Sequence, residues 1–438
     1  MVFALFSLTL TAYFTTNTTG IFKMQHLLIT NIGALYGITP SESMNNHIRK
    51  GNAMADLPHI ENAWLFLEDD KIHSYGRMAD MDFMHAEDVL DAQGSSIIPA
   101  WVDSHTHLVF AATRELEFVD RIKGLSYEEI AQKGGGILNS AKKMHDKDEH
   151  ELYDESMQRL QALIQQGTGA IEIKSGYGLS LSSELKMLRV IRKIKETAPI
   201  PVKASFLAAH TYPLEFRNNH EGYLNLIINK MLPMVSDEGL ADYMDVFCEK
   251  GFFSTDETTR LLEAAARYGL KPKIHANQLY RSGGVQTGIA HNAISVDHLE
   301  SLGEEEITAL QNSNTIPVLL PGAAFFLGMH YPPARELIDA QLPVCLATDY
   351  NPGTCPSGNV PLLLTIACTQ MKLTPEEAIN AITINGAAAL ELSDTMGSIT
   401  AGKKANLIVT KPIHSIAHIP YDFGNNPVKK MILNGKLY

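Results

Sequence analysis

Short apolar runs, each followed by a stretch of helical periodicity, repeat eight times along the middle of the chain. They fall at 97–102, 169–173, 202–208, 243–247, 272–274, 293–296, 316–320 and 344–347. Helical spacing of apolar positions fills the intervals, for example at 149–166, 182–197, 255–268 and 303–312. Strands alternating with helices predict βα units and a parallel sheet. Eight such units over roughly 250 residues match the size of a (β/α)8, TIM-like barrel. An open doubly wound sheet is the competing α/β architecture. It would carry a glycine-rich phosphate turn after its first strand, whereas this first run leads into histidines.

On either side of the repeats the pattern changes to that of β structure. Residues 26–32 read as a strand, and 63–68 with 71–76 as a hairpin around the polar pair Asp69-Asp70. Residues 41–56 between them are polar and read as a loop. After the repeats, 360–371 and 375–390 read as helices, the second opened by Thr374 with Glu377 three residues on. Short strands follow at 397–399, 406–410 and 429–433, the last ending in an Asn434-Gly435 turn. Neither flank could bury an apolar face alone. The economical arrangement is one small β-sandwich built from 24–98 and 395–438, with the barrel spanning 99–394. Residues 1–23 are apolar and threonine-rich, with no basic residue before Lys23. Thr15 to Gly20 interrupt the run, so it lacks the length of a membrane span and the positive region of an export signal. It reads as an N-terminal extension, disordered or artefactual, with a degenerate export signal second.

Composition narrows the function classes. The 438 residues are 45% hydrophobic and 19% charged, ordinary values for a globular chain. A net charge of −13, with no basic cluster, gives nucleic-acid binding no support. Four cysteines without a C-x-x-C pair imply reduced thiols and no demand for an oxidising compartment.

Catalytic groups of such a barrel sit at the C-terminal ends of its strands. The first run ends in Asp103-Ser104-His105-Thr106-His107, where i and i+2 share one side of an extended backbone. Other runs end in His210, in His275, in Asp297-His298 and in Asp349, so five of eight strand ends carry histidine or aspartate. Singly, a histidine at a strand end is more often a satisfied polar residue. With only 17 histidines in the chain, their joint placement carries the reading. His105, His107, His275 and Asp349 form a three-histidine, one-aspartate set for a single divalent metal, Zn²⁺ or iron (Fe²⁺/Fe³⁺), with Mn²⁺ also compatible.

The pattern of strand, H-x-H, later histidines and T-D, flanked by a split β unit, resembles the amidohydrolase superfamily. Several motifs further resemble the imidazolonepropionases within it: D-S-H-T-H-L-V-F-A at 103–111 with Arg114, I-E-I-K-S-G-Y-G-L at 171–179, K-I-H-A-N-Q at 273–278 and A-T-D-Y-N-P-G-T at 347–354. The resemblance implies hydrolysis of the cyclic amide of an imidazolone propionate in histidine degradation, by a cytoplasmic homodimer that binds neither nucleic acid nor membrane. It implies Asp349 as the base, His298 as its neighbour and His210 as a donor to the ring carbonyl oxygen. Arg114 would grip the propionate and Tyr177 would cap it, while Asn351, Gly353 and Thr354 resemble positions that hold substrate or product. Gln278 stands where deaminases of the superfamily carry a proton-shuttling glutamate. An amide does not titrate, so it weakens a guanine- or cytosine-type deaminase reading. The alternative from a different class is a non-catalytic barrel that serves as a structural protein, for which loss of ligands would be expected. Gly134-Gly135-Gly136 reads as the hinge of a lid; a second metal would need a bridging carboxylate or carbamylated lysine near strand 4, where Glu249 and Lys250 lie, and is not expected.

Overall fold

A computed structural model describes residues 25–40, 47–82, 86–125, 129 and 135–438. The N-terminal extension and, at the glycine hinge, Gly134 lie outside the described residues. The first strands are β1 (His26–Tyr36), β2 (His59–Glu68), β3 (Lys71–Arg77), β4 (Asp88–Asp91) and β5 (Ile97–Pro99). The barrel follows with β6 (Trp101–Asp103), β7 (Thr168–Lys174), β8 (Val202–Ala209), β9 (Tyr243–Cys248), β10 (Lys271–Ala276), β11 (Ser295–His298), β12 (Ile316–Leu319) and β13 (Cys345–Leu346). Each pairs in parallel with the next in sequence order, and helices fill the connections. These strands are buried on both faces, which is why they read as continuous apolar runs without alternation.

The chain ends in β14 (Leu407–Thr410), β15 (Val428–Leu433) and β16 (Lys436–Leu437). They join the first strands in one sheet, ordered β16-β15-β14-β5-β1-β2-β3 with β4 beside β1. Both chain ends therefore build a single sheet around their own core of Ile29, Leu35, Leu65, Leu67, Leu407 and Ile432. No helix among the described residues is long and apolar enough to cross a membrane.

Three expectations need correction. The run at 97–102 is not one strand. Ile97–Pro99 pairs with β1 and β14, whereas Trp101–Asp103 pairs with β7 in the barrel. Ala100 is the pivot, its N–H donating to Asn406 O and that of Trp101 to Gly167 O. Both halves are buried, so apolarity alone cannot reveal the change of sheet. The helix expected over 375–390 breaks at Thr383, whose φ of −112° and ψ of −88° separate Pro375–Ile382 from Ile384–Ala389. Its Thr374 cap and reciprocal Glu377 contact do form. Residues 397–399 make only an isolated bridge, Ile38 to Ile399.

The barrel closes in an unusual place. β13 and β6 share no ladder; the seam lies just past their ends, where Asp349 N–H donates to His105 O at 3.0 Å and His107 N–H to Tyr350 O at 2.9 Å. Below it, Asp103 accepts from Thr348 N–H at 3.0 Å and from its hydroxyl at 2.6 Å. The segments that seal the barrel are the segments that carry His105, His107 and Asp349.

Candidate active site

The C-terminal ends of the strands open into a cavity of about 400 Å³. Its walls include His107, His210, His275, His298 and Asp349, with Arg114, Tyr177, Gln278, Asn351 and Thr354 around them. His105 lies beneath, fully buried. The ligand atoms of His105, His107 and His275 lie within 4.8 Å of one another. His275 Nε2 is 3.4 Å from His107 Nε2, and Asp349 Oδ1 is 3.6 Å from His105 Nε2 and 3.5 Å from His107 Nε2. A tetrahedral Zn²⁺ with arms of about 2.0–2.1 Å has ligand–ligand edges of about 3.3–3.4 Å. The three imidazoles are thus grouped closely enough to share one ion, with Asp349 at comparable spacing from two of them.

Orientation supports the same fit. His105 Nδ1 is 2.6 Å from Asp297 Oδ2, and His275 Nδ1 is 3.0 Å from Asp245 Oδ1. A carboxylate can only accept, so each Nδ1 carries the proton and each Nε2 keeps its lone pair for the centre. His105 Nε2 is buried with no hydrogen-bond partner among the described residues, an otherwise costly state. Burial, then the cationic and imidazole neighbours, holds His105 and His107 well below the ordinary histidine range. Neutral imidazoles are what a metal requires. Burial pushes Asp349 upward, partly offset by His298 and His275, making it a stronger base than a free aspartate. Burial alone would depress His298, but Glu300, Asp349 and Asp297 outweigh it and raise it. His298 and Asp349 also have φ of 87° and 54°, strained for residues with a Cβ and held by the surrounding strand ends.

His210 departs from its expected role. Its Nδ1 lies 3.2 Å from Gly176 O, so that nitrogen carries the proton and a neutral ring offers Nε2 as an acceptor. Donation from Nε2 needs the imidazolium, yet burial pushes this group down to about 3. The ring stacks on His107 at 5.3 Å, with Tyr177 5.6 Å away.

At the rim, Arg114 Nε is 2.7 Å and Nη2 2.5 Å from Glu117 Oε2. Glu117 Oε1 accepts from Gly136 N–H at 3.0 Å. The guanidinium is therefore in place, with one edge already occupied, and an incoming carboxylate is left the end bearing Nη1. Asn351 spends its full capacity inside its own loop: Nδ2 donates to Asp349 O and Thr354 Oγ, and Oδ1 accepts from Gly353 and Thr354 N–H. It shapes the turn that presents Asp349. Thr354 Oγ also donates to Asp349 Oδ2 at 3.2 Å. Gly353 packs against Arg114, where a Cβ would strike Nη1, and does not itself line the cavity.

Sequence reading missed Arg121, Ile137, Phe247, Phe252, Leu279 and Leu327, which also line the cavity. It also missed the purpose of Glu249. That carboxylate accepts from Lys250, Leu279 and Tyr280 N–H and from Ser282 Oγ, pinning the loop that follows Gln278. Its capacity is committed to the loop. The missed signal was charge inside apolar strands: Glu172, Lys174, Asp245 and Lys273 are all fully buried, and such residues require partners.

Comparison with known proteins agrees with this geometry. Residues 96–438 match the amidohydrolase family. The chain is 53% identical over 411 residues to an imidazolonepropionase of Christiangramia forsetii, covering 94% of this chain and 99% of that one. It is 54% identical to an imidazolonepropionase of Flavobacterium johnsoniae, over 88% of this chain and 94% of the relative. Among solved structures, guanine deaminase of E. coli superposes with a TM-score of 0.72 at 14% identity, covering 95% and 99% of the two chains, a likeness of fold alone. The chain belongs to the amidohydrolase family and, within it, to the imidazolonepropionases.

Proposed function

We propose that the chain hydrolyses the cyclic amide C–N bond of 4-imidazolone-5-propanoate to N-formimino-L-glutamate, a step of histidine degradation. One divalent metal, Zn²⁺ or iron, would be held by His105, His107, His275 and Asp349. The observation that carries this reading is the convergence of three imidazoles, with Asp349 3.6 and 3.5 Å from two of them, at and beneath the wall of a cavity that Arg114 also lines. When bound, the metal supplies Lewis acidity, bringing the pKa of water to about 7 and polarising a carbonyl.

Asp349 takes the proton of the attacking water. His298, with Glu300 at 3.5 Å, borders that proton's path. The water oxygen bonds to the ring carbonyl carbon, the C–N bond breaks, and the departing nitrogen gains a proton. Gln278 cannot supply it, so the proton returns through Asp349. Gln278 offers both a donor and an acceptor to the ring, and Nε2 of His210 accepts a ring N–H. The free end of Arg114 meets the propionate, and Tyr177 covers it. The relatives named imidazolonepropionase support the choice of substrate. A cytoplasmic homodimer, and the division into a β unit (24–98 with 395–438) around a catalytic barrel (99–394), belong to the same proposal. Metal-loaded protein incubated with imidazolone propionate should remove its ultraviolet absorbance; no turnover would overturn the assignment.

A further inference from the structure

Beneath the histidines the barrel holds a closed cluster of charge. Glu172 and Lys174 come from β7, Asp245 from β9, Lys273 from β10 and Asp297 from β11, all without solvent exposure. Lys174 Nζ lies 2.6 Å from Glu172 Oε1, 2.7 Å from Asp245 Oδ2 and 3.7 Å from Asp297 Oδ2. Two of these carboxylates also hold histidines, Asp245 through its other oxygen and Asp297 through the same Oδ2 that faces Lys174. Asp245 accepts from His275 Nδ1, and Asp297 from His105 Nδ1 and from Ser295 Oγ. Glu172 also takes Lys273 and the Ser205 hydroxyl.

One ammonium thus hydrogen-bonds Asp245 and stands at ion-pair distance from Asp297, the carboxylates that orient His275 and His105, which come from strands far apart around the barrel. Buried ion pairs are a poor source of stability, because apolar packing of the same volume does as well or better. They do fix geometry. Asp245 and Asp297 stand on β9 and β11, on either side of β10, and share no direct hydrogen bond among the described residues. Their link is Lys174.

We propose that Lys174 is a positioning residue that couples Asp245 and Asp297, so that His105 and His275 aim their lone pairs at the metal as one unit. The inference rests on the metal-ligand reading above. It differs from two independent histidine–carboxylate pairs in one measurable respect: loosening either pair should already loosen the other.

The test is a double-mutant cycle on metal affinity, read by chelator competition and by the visible absorption of the Co²⁺ form. Asp245→Asn and Asp297→Asn should each weaken Zn²⁺ binding about 10- to 100-fold. The double variant should lose no more than about tenfold beyond the worse single. Lys174→Met combined with Glu172→Gln removes one charge of each sign, so the buried balance is kept. It should weaken binding, alter the Co²⁺ spectrum with unchanged far-ultraviolet circular dichroism, and make the two Asn effects multiply. Multiplying effects in the presence of Lys174 would overturn the inference, as would wild-type affinity in the Lys174 variant. Should that variant fail to fold, the cycle in the wild-type background decides alone. A wild-type protein that binds neither Zn²⁺ nor Co²⁺ overturns the metal centre itself, and this inference with it.

Discussion

Arg114→Met removes a guanidinium whose side chain is 10% exposed and whose Nε and Nη2 are tied to Glu117 Oε2. Two effects follow, and they separate. Glu117, itself 11% exposed, keeps among the described residues only the Gly136 N–H. Removing one partner of a buried pair costs about 3–5 kcal/mol, and beside an open cavity the lower end, about 3 kcal/mol, applies. The second effect is on substrate. A charge-assisted contact to the propionate contributes about 1.5–3 kcal/mol, which is about 10- to 150-fold in kcat/KM, expressed in KM because the carboxylate is remote from the reacting bond. Adding Glu117→Gln removes the orphaned charge. The double variant should recover stability to within about 1 kcal/mol of wild type while KM stays raised. Urea unfolding and steady-state kinetics read the two quantities, and an imidazolone lacking the propionate is the control, processed equally by all three proteins. Recovery of KM together with stability would refute the reasoning, as would an equal loss on the carboxylate-free ring.

Asp349→Asn should lower kcat by at least about 10²–10⁴ with the fold kept, and activity near wild type would remove it as the base. Gln278→Glu should preserve hydrolysis within about tenfold but add a titration to the pH–rate profile, because a carboxyl then stands in the cavity wall; a profile identical to wild type would show that position 278 does not face the reacting ring. Acid should destabilise the metal-free protein. His105, His107 and His210 sit below their unfolded value, so the unfolded chain binds more protons and stability is lost as pH falls below about 6.5. His298, raised, works in the opposite direction only above about 6.5, where the unfolded chain has already lost that proton. Below it, Asp103, pushed up to about 7 by burial, keeps a proton the unfolded chain lacks and offsets one of the three histidines. The net slope is at most that of two groups, about 3 kcal/mol per pH unit, and equal urea midpoints at pH 7.5 and 5.5 would contradict it.

The barrel was legible because eight apolar runs in parallel strands must be buried on both faces, and the candidate site because its polar groups stand at strand ends. That one rule singled out His105, His107 and His275, which the fold brings together, and Asp349 beside two of them. What periodicity could not convey was a choice between two buried environments: Ile97–Pro99 and Trp101–Asp103 are equally apolar yet belong to different sheets. Nor could residue type reveal how hydrogen-bond capacity is spent. Asn351 and Glu249 look like ligands in sequence, but in three dimensions each is occupied by its own or a neighbouring loop. For His210, the proton's place is set by one backbone carbonyl, Gly176 O, 34 residues away.

The seam of the barrel has a consequence for how the protein comes into being. Asp103 and Thr348, 245 residues apart, must meet before His105, His107 and Asp349 stand together. A chain still emerging from the ribosome holds several exposed histidines but no assembled centre until its eighth strand is out. On the proposed ligand set, an ion held by His105, His107 and Asp349 would tie the first barrel strand to the last, so binding it would stabilise the closed barrel by mass action.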